Sequence, residues 1–115
     1  MTDRLPVTDW LTVPEVAERL DVPVTRVRQL LREGALLATR GEGGPLRVPA
    51  AFVHRGQVLK GLPGLITLLR DGGYDDEAAL RWLHTDDPTL PGRPVDALAA
   101  DRGTEVKRRA QALAL

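Results

Sequence analysis

Residues 12–52 read TVPEVAERLDVPVTRVRQLLREGALLATRGEGGPLRVPAAF, and this stretch decides the fold of the first half of the chain. Its opening, residues 12–15, has the pattern of a capping box, in which a Thr hydroxyl and a Glu carboxylate each bond the other residue's backbone amide. Pro14 falls in the first turn, where a helix needs no amide hydrogen. The pattern predicts a helix that runs to about Leu20 and is stopped by the turn at residues 21–23.

A second helix is predicted over residues 24–33, because apolar residues recur there at helical spacing. That apolar face consists of Val24, Val27, Leu30 and Leu31. The opposite face consists of Thr25, Gln29, Arg32 and Glu33, with Arg26 and Arg28 on its flanks. Gly34 follows and is suited to end the helix in the left-handed conformation. Two helices joined by a short turn, the second with a basic polar face, are typical of a helix-turn-helix.

Two short strands are predicted next, over residues 36–40 and 46–48, with a Gly-rich turn between them. Arg40 and Arg47 stand on either side of that turn. They can be ordinary solvated strand residues, or they can touch phosphates or enter a minor groove. A hairpin over residues 37–48 directly after a helix-turn-helix is typical of a wing, which favours the second interpretation.

The second helix has side chains suited to reading base edges. Arg can donate two hydrogen bonds to guanine, Gln can pair in the same way with adenine, and Thr can contact a thymine methyl group. Residues near the amino end of a recognition helix usually reach deepest into the major groove. We therefore predict base contacts from Thr25, Arg26, Arg28 and Gln29 and a phosphate contact from Arg32. Arg40 and Arg47 of the wing complete the predicted DNA-binding set.

Charge is uneven along the chain, although the 115 residues sum to a net charge of zero. From Arg26 to Lys60, seven basic residues stand against two acidic ones, so this segment carries +5. Residues 61–115 carry −2 and residues 1–25 carry −3. The positive charge is thus concentrated where the predicted DNA-facing elements lie.

Composition favours a mainly α globular protein. Hydrophobic residues make up 43% of the chain and aromatic residues 3%, so Leu, Val and Ala must build the core, which favours helices packed on helices. The absence of cysteine excludes disulfides and Cys-based zinc sites. No apolar run approaches the ~20 residues that cross a bilayer, and residues 1–10, a short lead-in, lack a signal pattern. We expect a cytoplasmic protein that does not enter membranes.

The second half of the chain is predicted to form short helices separated by Pro and Gly residues. One opens at Pro63, the next is capped by Asp75, a third begins at Pro94, and the last is capped by Thr104. The chain as a whole is therefore predicted to be a winged helix-turn-helix followed by a small helical bundle.

We divide the chain into a DNA-binding domain over residues 1–60 and a helical domain over residues 61–115 that packs on it. The last helix carries a basic run at Lys107, Arg108 and Arg109. Such a run at a helix end is usually a solvated face that suits the helix dipole, and a supplementary DNA contact is the alternative.

Enzymatic chemistry has no counterpart in the sequence. His54 and His84 lie thirty residues apart without a partner motif, and the HExxH, GxSxG and phosphate-binding Gly-loop patterns are missing. The acidic groups at residues 75–77 and 86–87 fit helix capping and turn formation and do not form an EF-hand pattern. We predict no enzyme activity, no cofactor and no metal.

Residues 12–52 resemble the MerR/excisionase type of winged helix-turn-helix. That group opens with Thr-x-x-Glu-x-Ala-x-x-Leu, continues with Gly-Val-Ser, and ends its second helix with Glu-Gly-x-Leu. The chain matches the first and last of these strings, while Asp21 replaces the usual Gly and Pro23 the usual Ser. The resemblance implies that residues 24–33 are the recognition helix and that the hairpin is the wing.

A second resemblance covers nearly the whole chain. The stretch LPGLITLLRDGGYDDEAALRWLHTDDPTL at residues 62–90 is similar to the C-terminal helical domain of a small actinobacterial DNA-binding family. The mycobacterial member of that family is a serine/threonine-kinase substrate. The resemblance implies DNA binding as the activity. Kinase regulation does not transfer, because only nine residues precede Trp10 and no tail phosphosite can be matched.

The leading hypothesis is a sequence-specific DNA-binding protein and transcriptional regulator whose partner is double-stranded DNA. The alternative is a protein-interaction module, such as an antitoxin or adaptor, that acts through the C-terminal helices. The string GRPVDAL at residues 92–98 is also similar to antitoxin-type C-terminal domains, which keeps this alternative open. The short helices favour a monomer, or a weak homodimer through the final helix.

Overall fold

The first helix begins where the capping pattern places it. In a computed structural model that describes residues 5–41 and 43–113, α1 spans Val13–Leu20. The hydroxyl of Thr12 accepts a hydrogen bond from the Glu15 amide at 3.2 Å, and the Glu15 carboxylate accepts one from the Thr12 amide at 2.8 Å. Hydrogen bonds from the Thr12 backbone amide and then from the Thr12 side chain to the carboxylate lower the pKa of Glu15. The capping box is therefore complete on both sides.

The turn after α1 leads directly into α2. Asp21 takes the left-handed conformation, with φ 58° and ψ 48°, which Asp tolerates better than most residues. α2 spans Val24–Glu33 and ends at Gly34, whose φ is 78°. Both predicted helices of the helix-turn-helix are confirmed, together with the predicted role of Gly34.

A two-stranded antiparallel sheet connects the residues before α1 with those after the wing. β1 spans Trp10–Thr12 and β2 spans Arg47–Pro49. Leu11 lies opposite Val48, and both side chains are buried. Sequence alone does not predict β1, because residues 1–10 look like a lead-in.

The predicted strand over residues 36–40 is wrong. Between residues 36–41 and 43–48 the structure contains one isolated bridge, which links Thr39 to Arg47 through backbone bonds of 3.0 and 2.9 Å. Leu36 and Leu37 are both buried, whereas successive side chains of a strand point to opposite faces. Packing two consecutive Leu residues inward is incompatible with a regular strand before Thr39.

A second hairpin follows a short 3-10 helix at Ala50–Phe52. β3 spans Val53–His54 and β4 spans Gln57–Val58, joined by Arg55 and Gly56. Both turn residues have a positive φ, 54° and 76°, as a type I′ turn requires. The sequence does not predict this hairpin, because each strand has only two residues and Arg is uncommon in such turns.

Four helices follow in the described part of the chain. They are α3 (Leu62–Asp71), α4 (Asp76–Leu83), α5 (Pro94–Ala99) and α6 (Gly103–Leu113). Asp75 caps α4 as predicted, since its carboxylate accepts the Ala78 amide at 2.8 Å. The predicted cap at Thr104 is wrong, because Gly103 and Thr104 both lie inside α6. The chain turns into α6 at Asp101, whose φ is 64°.

One hydrophobic core runs through both halves of the chain. Val16 of α1 and Val27 of α2 are fully buried in it. Phe52, also fully buried, meets His84 at the end of α4, with 5.6 Å between their ring centres. This ring contact attaches the C-terminal helices to the winged half of the molecule.

Candidate nucleic-acid interface

α2 buries one face and exposes the other, as its sequence pattern predicts. Val27 and Leu30 are buried, with 0% and 8% of their surface exposed. The exposed side chains of the helix are Thr25, Arg26, Arg28, Gln29, Arg32 and Glu33. All α2 residues predicted to contact DNA therefore lie on the solvent side of the helix.

Three of these exposed side chains are linked along the helix surface. Arg26 donates from Nη1 to Gln29 Oε1 at 3.0 Å, and Gln29 donates from Nε2 to the Glu33 carboxylate at 3.0 Å. Their spacing of three and four residues makes them neighbours on a helix. The amide of Gln29 is thus oriented before any ligand arrives. Its oxygen and nitrogen are both engaged within the helix, so a contact with adenine N6 and N7 would use the second lone pair of Oε1 and the second hydrogen of Nε2.

The amino end of α2 has no side-chain cap. Pro23 occupies the cap position, and its carbonyl accepts the amides of Arg26 and Val27. No side-chain oxygen accepts the backbone amides of the two helix residues that come before Arg26. An uncapped helix start favours phosphate oxygens, because its amides and the helix dipole both attract negative charge.

An arginine of the C-terminal helices lies beside the carboxyl end of α2. A Cβ at Gly34 would lie 2.6 Å from Nη1 of Arg70, so the guanidinium packs directly beside this glycine. Arg70, in the last turn of α3, donates from Nε and Nη2 to Asp76 of α4 at 3.3 and 2.9 Å. Arg70 thus links α3 to α4 and lies against the end of α2.

The wing, residues 39–47, places its two arginines differently. Arg40 is exposed, whereas Arg47 is half-buried and its guanidinium carbon lies 4.3 Å from the centre of the Trp10 ring. A Cβ on Gly41 would lie 2.8 Å from Nη2 of Arg47, so the guanidinium also packs against the turn. This cation–π contact gives Arg47 a structural role in supporting the wing. Arg40 is the wing arginine that a ligand can reach without rearrangement.

One residue of the basic run on α6 forms an ion pair within the protein. Arg109 donates from Nε to the carboxylate of Asp87 at 3.0 Å. Hydrogen bonds from Thr89, and after them Arg109, lower the pKa of Asp87. Lys107 and Arg108 are exposed. Arg109 therefore packs the molecule, and the other two basic residues form the solvated face that the sequence predicts.

Trp10 and Arg70 pack against residues of the candidate interface, and the sequence predicted neither contact. Trp10 supports Arg47 under the wing, and Arg70 packs against Gly34 at the end of α2. In each pair the partners lie far apart in sequence, so no local pattern marks them. Trp is rare in this chain, which has few aromatic residues. That rarity is the one sequence signal that could have pointed to the contact between Trp10 and Arg47.

Residues 5–41 and 43–113 contain no group of three or more His, Asp or Glu side chains that could hold a metal ion. In the same residues, no helix combines the length and apolar character needed to cross a membrane.

Two protein families match this chain in succession. The family described as "DNA-binding protein Rv2175c, wHTH domain" matches residues 1–53. The family described as "Rv2175c C-terminal domain of unknown function" matches residues 59–114. The first match contains α1, α2 and the wing, and the second contains α3 to α6.

A curated protein and a solved structure are similar over most of the chain. The DNA-binding protein Rv2175c of Mycobacterium tuberculosis (strain ATCC 25618 / H37Rv) is 50% identical in an alignment of length 114, and the match covers 89% of this chain and 78% of that protein. The NMR structure of Rv2175c superposes with a TM-score of 0.84 and 44% identity, covering 100% of this chain and 85% of that one. The fold and the order of elements are thus shared with that protein.

Proposed function

The chain belongs to the Rv2175c family, and from this membership we propose that it is a non-enzymatic, sequence-specific DNA-binding protein that regulates transcription. α2 enters the major groove of double-stranded DNA, and the wing lies against the neighbouring backbone or minor groove. The observation that carries the proposal is the exposed face of α2. It presents Arg26, Arg28, Arg32 and Gln29 on a helix whose opposite face is anchored in the core.

Each polar residue of this surface has a role in the proposal. Thr25, Arg26, Arg28 and Gln29 contact bases, because they lie in the first half of α2. Arg32 and Arg40 contact phosphates or, for Arg40, the minor groove. Arg47 acts by supporting the wing from its place on Trp10, and a direct DNA contact would require it to leave that ring. The order of helix, turn, helix and wing supports the MerR/excisionase-like assignment as part of this proposal.

The two halves of the chain have different roles in this proposal. Residues 1–60 bind DNA, and residues 61–115 hold that surface in place through Arg70 and through the contact between Phe52 and His84. The protein acts in the cytoplasm, where bacterial DNA is found, as a monomer or a weak homodimer through α6. The alternative of a protein-interaction module gains no support from the comparisons, since the matched winged domain is described as part of a DNA-binding protein.

A titration of labelled duplex DNA at several salt concentrations tests this function. Exposed arginines of this surface number four, Arg26, Arg28, Arg32 and Arg40. If about two to four of them neutralise phosphate charge, the logarithm of the binding constant should fall with the logarithm of the salt concentration with a slope of about −2 to −4. Fluorescence anisotropy measures the binding. Affinity that does not change with salt, or no binding at low salt, contradicts the proposal.

A pair of double variants identifies the surface that binds. Arg26→Gln with Arg32→Gln removes two exposed charges from α2, and Lys107→Gln with Arg108→Gln removes two exposed charges from α6. The net charge changes equally in both proteins. We expect the α2 variant to lose affinity and to have a shallower salt slope, while the α6 variant stays close to the wild type. Equal losses would mean that binding follows overall charge and does not depend on α2.

A further inference from the structure

Glu33 is an unexpected residue on a surface that is proposed to meet phosphates. It is the last residue of α2, and its side chain is exposed on the helix that also exposes Arg26, Arg28 and Arg32. A carboxylate at this place repels the DNA backbone, and at the carboxyl end of a helix it also opposes the helix dipole. Neither affinity for DNA nor helix stability therefore explains why an acid stands here.

The contact that Glu33 makes offers another reason for its presence. Its carboxylate accepts a hydrogen bond from Nε2 of Gln29 at 3.0 Å, one helical turn away. In the part of the chain that covers residues 5–41 and 43–113, Glu33 forms no ion pair with an arginine or a lysine. The acid is thus bonded to a side chain that is proposed to contact a base, and not to the cations around it.

The amide of Gln29 is held from both sides, and both partners require the same orientation. Oε1 accepts from Nη1 of Arg26 at 3.0 Å towards the amino end of α2, while Nε2 donates to Glu33 towards the carboxyl end. A guanidinium can only donate hydrogen bonds, and a carboxylate can only accept them. Turning the amide over would set a nitrogen against Arg26 and an oxygen against Glu33. The reversed orientation is therefore disfavoured at both ends.

A fixed Gln29 amide can distinguish adenine from guanine. In the major groove, adenine offers the acceptor N7 beside the donor N6, whereas guanine offers two acceptors, N7 and O6. The second lone pair of Oε1 and the second hydrogen of Nε2 match adenine. With guanine, Oε1 would face O6, and two acceptors repel each other. An amide that is free to turn over could bring Nε2 to O6 instead, and it would tolerate guanine more readily.

We propose that Glu33 is a positioning residue that makes Gln29 selective for adenine over guanine. Arg26 supplies the donor at one end of the amide, and Glu33 supplies the acceptor at the other. The repulsion between Glu33 and the phosphates lowers the overall affinity, while the fixed amide raises the selectivity for one base. This inference rests on the proposed function, because it assigns Glu33 a part in how α2 reads DNA.

Two duplexes that differ at one base pair test this role. The first carries the motif that the full wild-type chain selects from random DNA. In the second, guanine replaces the adenine at the position whose preference changes in Gln29→Ala. We expect Glu33→Ala to lower the ratio of the two affinities by about two- to tenfold, which corresponds to one net hydrogen bond. Fluorescence anisotropy measures both affinities for each protein.

Two further variants separate positioning from charge. Removal of the carboxylate should raise the affinity of Glu33→Ala for both duplexes, with the larger gain for the guanine duplex. Glu33→Gln removes the same charge but keeps an acceptor for Nε2 of Gln29, so it should share the general gain and retain most of the wild-type ratio. Glu18→Ala removes an exposed acid from α1 and should leave the ratio unchanged.

Three results would overturn the proposal and leave DNA binding by α2 in place. The first is an unchanged ratio in Glu33→Ala. The second is an equal fall of the ratio in Glu33→Ala and Glu33→Gln, since charge alone would then set it. The third is a position that depends on Gln29 but does not prefer adenine. A wild-type chain that selects no motif would instead contradict the proposed function itself, and this inference with it.

Discussion

Thr12 connects two elements at the scale of a single residue. It ends β1, and its hydroxyl caps α1 by accepting the Glu15 amide. Thr12→Ala removes that acceptor and should lower the free energy of unfolding by about 0.5–2 kcal/mol, the usual cost of losing an N-cap. Chemical denaturation followed by circular dichroism measures the loss.

Thr67→Ala is the matched control for the cap. Thr67 is exposed on α3, and its hydroxyl donates only to the carbonyl of Pro63, within the same helix, at 3.2 Å. Its replacement should change stability by less than about 0.5 kcal/mol. If the two variants lose the same stability, the cap does not hold the start of α1.

His84 makes the stability of the fold depend on pH. Burial lowers the pKa of His84 below its ordinary value of 6.5, so the unfolded chain takes up a proton at a pH where the folded chain does not. The contribution of His84 to stability is therefore complete above about pH 6.5 and is lost progressively as the pH falls below that value. Denaturation midpoints between pH 5 and 8 measure this dependence.

The second histidine supplies the control for this pH dependence. His84→Gln should flatten the fall in stability between pH 6.5 and 5, because no imidazole then has to stay neutral in the core. His54→Gln, on β3, is the matched variant that also removes one histidine, and the slope of His84→Gln is compared with it. If the pH dependence of stability disappears in His54→Gln and persists in His84→Gln, its assignment to His84 is wrong.

At the scale of the element, α2 separates base contacts from phosphate contacts. Arg28→Ala should weaken binding to a preferred duplex by about 1–3 kcal/mol and reduce the preference over a scrambled duplex, if Arg28 donates to guanine. Arg32→Ala should weaken binding to both duplexes equally, as loss of a phosphate contact does. Anisotropy titrations with the two duplexes distinguish these results. Equal weakening by Arg28→Ala would make Arg28 a phosphate contact.

The helices were predictable from sequence because their signals are local. The capping box at residues 12–15, the periodic Val and Leu residues of α2, and Gly34 all act within one or two helical turns. The same periodicity predicts which side chains of α2 are exposed, so the main part of the candidate site follows from sequence. Asp75 was predictable as a cap for the same reason.

The strands were not predictable, because their partners are distant or their length is too short. β1 forms a strand only because it pairs with β2, and the whole helix-turn-helix lies between the two strands in sequence. The contact of Arg47 with Trp10 depends on that same pairing, so the supporting role of Arg47 could not be predicted from sequence either. Leu36 and Leu37 are both buried in the core, so they do not alternate between two faces as the residues of a strand do.

At the scale of the whole molecule, one core and an uneven charge distribution explain how a neutral chain can bind DNA. The segment from Arg26 to Lys60 carries +5, and α2 displays part of that charge on its exposed face. Residues 61–115 carry −2, so the excess of negative charge lies outside the segment that contains α2. The net charge of zero therefore says little about the surface that meets the ligand.

Selection of binding sites from random duplex DNA tests the central claim most directly. If α2 reads base edges, repeated selection with the full chain should enrich one short motif, and Gln29→Ala should change the preference at a single position of that motif. Sequencing of the selected pools measures both effects. A wild-type pool that stays as random as the starting library, or an identical motif for Gln29→Ala and every other α2 variant, would contradict the account.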